Sequence, residues 1–360
     1  MKQAVQAMCN KRVVLLGEAS HGDGHSDSVK SALVERLVTQ CGFNTVLFES
    51  STYEFTPVLR AQRAGRTVSS DQIAAAVGGL WKFDREVQPL FRFMAHNMNS
   101  GHVTVGGLDF QPGGFQQPYS NDVMIRELTS DLGENRRRFC QSVFSALVLG
   151  ADLPEGVSRQ DLPARLAACT ANIRTTAKDT PGSDTARELR NLDGWLAAST
   201  SGLQHFGIAR DAMMARNAID FIDGSGKKAK VVIWTHNVHA ARSGTMFRDY
   251  QDNETLGAAL ARRYGSQVFA LGITARQGTY RWSGPENRPL PPIPATALEA
   301  LIPFQPPGCP VFIDHQALQH AGSAPAAFMS HTYQTAEWDK AYDGALVLES
   351  EYPPHSTGPR

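Results

Sequence analysis

Five short runs rich in β-branched and aromatic residues restrict the fold of this chain most: 12–16 (RVVLL), 44–48 (NTVLF), 102–108 (HVTVGGL), 230–234 (KVVIW) and 267–273 (QVFALGI). Each reads as a buried strand. Between the first two, Ser26 and Asp27 offer helix N-caps, Val29, Leu33 and Leu37 recur every four residues, and Gly42 supplies a stop. Ser69 and Ser70 can cap a second helix through Val77, and Val87, Leu90, Phe91 and Met94 form the stripe of a third before the run at 102. Strands alternating with helices predict an α/β protein whose central sheet is mostly parallel and flanked by helices.

From 121 to 222 the strand signal fades, and the chain reads as a helical insertion contributing to a substrate cleft, with residues 1–120 and 223–360 as the α/β core. A Pro-rich segment, 284–294, precedes a C-terminal part in which Gly344–Leu348 forms one last strand. Thirty-five basic residues against thirty-five acidic ones leave no net field to hold a nucleic acid or an anionic membrane. No apolar run approaches the roughly 20 residues of a transmembrane helix, and no signal peptide is evident. The five cysteines are scattered and odd in number, without a CxxC pair, which predicts free thiols in a reducing cytoplasm.

The polar residues that follow the strands are informative. The first run leads into Gly17-Glu18-Ala19-Ser20-His21, the second into Glu49-Ser50, the third into Asp109-Phe110-Gln111, and the fourth into Thr235-His236-Asn237-Val238-His239. Ligands of open parallel sheets bind beyond the carboxyl ends of the strands, so these turns share one cleft. Singly, each has a plainer use: a turn histidine can serve its own loop, and Glu18, Glu49 or Asp109 can cap or pair locally. His236 and His239 resemble a metal-ligand pair only on a helix, and His21 with His25 only if Gly22–Gly24 were helical. Trp81 and Phe83 read as core or cleft wall, and there is no GxSxG elbow to supply a serine nucleophile.

The segments VVLLGEASHG, FNTVLFES, GGLDF, RDAMMARN (210–217) and VVIWTHNVHAARS (231–243) together resemble, in order, the erythromycin esterase family. That resemblance implies that His21 is catalytic, with Glu18 beside it, Glu49 and His236 as its partners and His239 in support. It further marks Lys30, Asp109, Arg210 and Asp211 as substrate-binding or supporting residues. Ser20 and Thr235 depart from the family's usual Thr and Ala. The implied reaction is hydrolysis of a macrolide lactone such as that of erythromycin, which would inactivate the antibiotic.

The chemistry expected here uses His21 as general base toward water, an acid (Glu49 or Glu18) to orient its imidazole, and His236 to bind the carbonyl oxygen or protonate the leaving group. It needs no cofactor and no metal ligands. The partner is a small-molecule ester. Two other readings of the same residues are a divalent-metal hydrolase of another ester and a non-catalytic haem- or metal-binding protein.

Overall fold

The computed structural model describes residues 1–79, 81–113, 117–176, 182–200, 202–247, 250, 253–281 and 286–358, with backbone alone at 203 and 204. Residues 284 and 285 of the Pro-rich segment lie outside that set. The strands are β1 (Val13–Leu16), β2 (Thr45–Ser51), β3 (Thr104–Asp109), β4 (Val231–Trp234), β5 (Val268–Ala275), β6 (Thr279–Tyr280), β7 (Arg288–Pro289), β8 (Val311–Asp314), β9 (Ser323–Met329), β10 (Thr332–Glu337) and β11 (Gly344–Leu348). Seven of them form one sheet in the order β3-β2-β4-β1-β5-β11-β8, parallel throughout except for β8 against β11. The pairs β9/β10 and β6/β7 form two small antiparallel ribbons.

The two-residue period of a strand divides the sheet's apolar residues between two layers. Val14, Leu16, Val46, Phe48, Val232 and Trp234 face the helices Gly24–Cys41 and Gln88–Asn99, packing on Leu33, Leu37, Phe91 and Met94. Val13, Leu15, Leu47, Val231 and Ile233 face the helices Leu203–Gly224 and Leu256–Tyr264 through Met214, Ala218, Ile222 and Leu260. A strand buried on both faces has no polar side to show, which is why these runs read so clearly.

Helices 124–129, 134–148, 162–176 and 184–199 pack around an apolar cluster of their own that includes Phe144, Leu166, Ile173 and Leu192. The helix Leu203–Gly224 instead lies on the sheet, and so brings Arg210, Asp211 and Asn217 to the strand ends. The expected caps of the first long helix are corrected. It begins at Gly24 after Asp23, Ser26 Oγ donates to Glu351 Oε2, and both Asp27 carboxylate oxygens are buried without a hydrogen-bond partner.

The cysteine expectation is overturned: Cys9–Cys41 and Cys140–Cys169 are disulfides, and Cys309 is free and exposed. The sequence spacing hid both pairs, because the partners meet only through helix packing. That pairing removes the ground for expecting a reducing cytoplasm. Among the described residues no helix is long and apolar enough to cross a membrane.

Candidate active site

Leu16, Phe48 and Trp234 stand in register on three adjacent strands, so the residues just beyond them converge. The loop after β1 fits only as glycine allows. A Cβ on Gly17 would come within 2.2 Å of Asn237 Oδ1, and one on Gly22 within 1.4 Å of Arg281 O. Asn237 accepts from Ile273 N–H and donates to Ile273 O and Phe328 O, tying the β4 turn to β5 and β9. The His21 side chain therefore rises from a loop gripped on both flanks.

His21 Nδ1 lies 2.6 Å from Glu18 Oε1, and its Nε2 lies 3.7 Å from Glu49 Oε1. Its ring meets Trp81 edge-on at 5.2 Å and His236 at 5.4 Å, and it keeps a solvent-facing sliver of 13%. The second Glu18 oxygen accepts from Lys30 Nζ at 2.5 Å. Lys30 is fully buried, also donates to Thr235 O, and rests its ammonium 4.2 Å from the Trp234 ring. Burial pushes its pKa down, opposed chiefly by Glu18. Lys30, which the resemblance marks as substrate-binding or supporting, is thus an internal counter-charge to Glu18.

Glu49 accepts from four sides. Thr235 Oγ1 and the His236 N–H donate to Oε2 at 2.7 and 2.8 Å, while Arg210 Nη2 and His239 Nε2 approach Oε1 at 2.7 and 3.3 Å. Burial pushes its pKa up, but His239, Arg210 and His21 outweigh that and hold it well below the usual carboxylate range. Arg210 Nε also donates to Asp109 Oδ2 at 2.9 Å, so its guanidinium clamps two carboxylates. Asp211 Oδ1 takes His239 Nδ1 at 2.8 Å together with the Leu256 N–H.

Two partners compete for His239 Nε2: a neutral ring accepts from Arg210 Nη1 at 3.0 Å, a protonated one donates to Glu49 Oε1. Glu49, Asp109 and Asp211 bring three negative charges against the one of Arg210, and that balance favours the cation. Burial lowers the His239 pKa, but Asp211 and Glu49 overcome it and hold it at about 10.

His236 differs from what the sequence suggested. It caps the short helix Asn237–Ala240, so His236 and His239 are not on a strand. Its Nε2 donates to Ala19 O at 2.8 Å and its Nδ1 accepts from the Val238 N–H, which leaves neither nitrogen for a substrate. Burial, with His21 nearby, pushes its pKa well below the ordinary value, consistent with a neutral ring in a fixed tautomer. His25 turns away from His21, stacking on Tyr352 and donating from Nδ1 to Ser350 O. Among the described residues no three His, Cys, Asp or Glu side chains are arranged to hold a metal ion.

Several residues of this region carried no sequence signal. His331 Nε2 pairs with Asp23 Oδ1 at 2.8 Å, and the other Asp23 oxygen accepts the Ser20 N–H, bracing the loop from behind. His331 and Ser330 both hold positive φ, 52° and 47°, in the β9–β10 turn, and the Ser330 N–H donates to Ala19 O. Glu351 accepts the backbone N–H groups of His25 and Ser26 at the helix start. Burial raises the pKa of Asp23, Asp27 and Glu351, and for Asp27 the neighbours Glu18 and Asp84 add to it. A turn residue 308 positions away from its partner leaves no periodicity or motif to read.

Beside Glu49 and Arg210 a cavity of about 190 Å³ opens, lined also by Ser50, Ser51, Val77, Gly79, Asp109, Gln111 and Gln117.

A family model described as Erythromycin esterase matches residues 38–346. A protein of Bacillus subtilis (strain 168) named "Putative hydrolase YbfO" is 20% identical, over 95% of this chain and 82% of its own length. Among solved structures, a Bacillus cereus protein matches with a TM-score of 0.73 at 17% identity, covering 99% of this chain and 93% of its own. A succinoglycan biosynthesis protein matches with a TM-score of 0.74 at 14% identity, covering 98% and 91%. A mutant of the erythromycin esterase EreC in its open conformation matches with a TM-score of 0.59 at 14% identity, covering 98% and 94%.

Proposed function

This chain belongs to the erythromycin esterase family, and we propose that its cleft hydrolyses a small-molecule carboxylic ester with His21 as the base that activates water. The observation that carries this reading is the relay Lys30–Glu18–His21, with 2.5 and 2.6 Å contacts, which holds the His21 ring through Nδ1 and leaves Nε2 3.7 Å from Glu49 Oε1. Donation of the Nδ1 proton to Glu18 fixes the tautomer, so Nε2 carries the lone pair that a water needs. As that water attacks the carbonyl, its proton passes to Nε2, and Glu18 stabilises the resulting imidazolium. Collapse of the tetrahedral intermediate breaks the bond to the alkoxide. The His21 imidazolium returns the proton to that oxygen, giving acid and alcohol with the ring neutral again.

Glu49, pinned by Arg210, Thr235 and the His236 amide, presents a fixed negative charge 3.7 Å from Nε2 and favours the same imidazolium. The proton transfer that the sequence assigned to His236 thus falls to His21, and His236 becomes a brace for the Ala19 carbonyl. No step in this scheme calls for a cofactor or a metal. Macrolide lactones are the substrate class to test first, because the family name and the EreC structure point to them.

Mass spectrometry of erythromycin incubated with chelator-treated protein should show a product heavier by one water. His21→Ala should abolish that product, lowering turnover by about a thousandfold or more, while circular dichroism stays unchanged. Absence of hydrolysis across a panel of esters and lactones would remove the reading. Hydrolysis that the chelator abolishes would replace it with a metal-activated water.

A further inference from the structure

A second cavity, of about 570 Å³, opens where the chain beyond β11 passes Arg85 and Arg281. Its own residues grip the loop that presents His21: a Cβ on Gly22 would meet Arg281 O at 1.4 Å, and one on Gly24 would meet Pro354 Cα at 2.8 Å. His21 does not line the cavity, so an occupant stands apart from the proposed reaction. The two arginines set its charge. Arg85 is exposed, and Arg281 donates from Nε and Nη2 to the single oxygen Asn287 Oδ1, at 3.1 and 2.9 Å, at the protein surface. Asn287 therefore orients that guanidinium without cancelling its charge. Among the described residues neither arginine pairs with a carboxylate, and Arg281 Nη1 keeps its protons unused.

The other polar groups of the walls are occupied. His355 gives its backbone N–H and its Nδ1 proton to Glu86, Ser356 Oγ donates to Gly358 O, and the Tyr352 hydroxyl lies 3.4 Å from Ser28 Oγ. Pro353 and Pro354 have no N–H to offer. No acidic side chain lines the cavity among the described residues: Glu86, its side chain 6% exposed, is spent on His355, and Glu286 stands outside the lining. Two uncancelled positive charges repel a cation and give a neutral group little that water does not, whereas guanidinium N–H groups match the oxygens of a carboxylate or phosphate. The space also exceeds what a lone ion fills, leaving room for the body that carries it. We infer that this cavity binds a small molecule through an anionic carboxylate or phosphate group, with Arg85 and Arg281 as its counter-charges.

The inference goes beyond the proposed hydrolysis and is read without turnover. Calorimetric titration of the intact protein with glutarate, inorganic phosphate and the neutral glutaramide compares the two anion chemistries with an uncharged control. At least one anion should bind about tenfold tighter than glutaramide, and its affinity should fall as sodium chloride is raised. Whichever of glutarate and phosphate binds tighter identifies the group. Arg85→Gln and Arg281→Gln should each weaken that anion by about fivefold or more, as loss of a charge-assisted hydrogen bond does. Arg281 holds Gly22 through its backbone and uses its side chain only on Asn287, so the fold should survive, as circular dichroism would show. Arg85 lies on a separate segment and stays informative if the Arg281 variant does not fold. Three results overturn the site: no anion bound at about 10 mM, where even a millimolar site would be mostly filled; glutaramide bound as tightly as the anions; or anion affinity unchanged in both variants.

Discussion

Each ionisable residue around His21 has a distinct energetic role, and the substitutions that separate them follow. Glu18→Gln keeps the shape of the relay but removes the charge that stabilises an imidazolium, and should lower turnover about a hundredfold or more; it also leaves the buried Lys30 ammonium without its counter-charge, so the melting temperature should fall as well. His236→Ala removes the hydrogen bonds to Ala19 O and the Val238 N–H. It should cost about 1–3 kcal/mol and lower the melting temperature by about 2–6 °C, a signature of bracing. Asp27 has neither carboxylate oxygen bonded, and its pKa lies well above the ordinary value. Ionising it inside the fold is a growing cost as pH rises past the unfolded value near 3.8. Asp27→Asn should therefore raise the melting temperature by about 2–4 °C at pH 8, and that gain should vanish toward pH 4. His239 runs the other way in charge but not in pH: its folded pKa of about 10 exceeds the ordinary 6.5, so its stabilisation is complete below 6.5 and lost as pH climbs through 10. Melting curves of wild type and His239→Gln between pH 6 and 10.5 should converge at the alkaline end.

At the scale of elements, the sequence exposed what burial on both faces dictates and little else. β1, β2, β4 and β5 carry uninterrupted buried patterns, and those runs were readable to within a few residues. The polar residues beyond them were readable with them, because strand ends in register leave their following turns side by side. β8, β9 and β10 mix exposed, half-buried and buried positions without a regular period, and gave no comparable signal. The His331–Asp23 brace depends on a left-handed turn between two of those weak strands, so nothing local announced it. The helix Leu203–Gly224 shows the reverse problem. Its apolar side reads as Met213, Met214, Ala218 and Phe221, yet the stripe that is fully buried against the sheet is Met214, Ala215, Ala218 and Ile222, one step around the helix. Asp211 and Asn217 are buried on that helix because they serve the strand ends rather than the apolar core.

For the whole molecule, the Cys9–Cys41 disulfide joins the first helix to the end of the helix that carries Lys30, across 32 residues. Closing a loop of that length in the unfolded chain is worth about 3–4 kcal/mol in the chain-entropy account. Paired Cys9→Ser and Cys41→Ser should lower the denaturation midpoint accordingly, and a reducing agent should do the same to wild type but not to the variant's share of it. Mass spectrometry after alkylation without reduction should find only Cys309 modified. The loop that presents His21 is closed by distant chain: Arg281 on Gly22, Ser330 on Ala19, His331 on Asp23, Tyr352 on Gly24 and Ser350 on His25. Translation delivers that loop 308 residues ahead of its His331 clasp, so the nascent chain carries an unfinished centre over that interval. On the proposed hydrolase reading, a ribosome-bound copy stays inactive until β11 and the clasping residues after it have emerged.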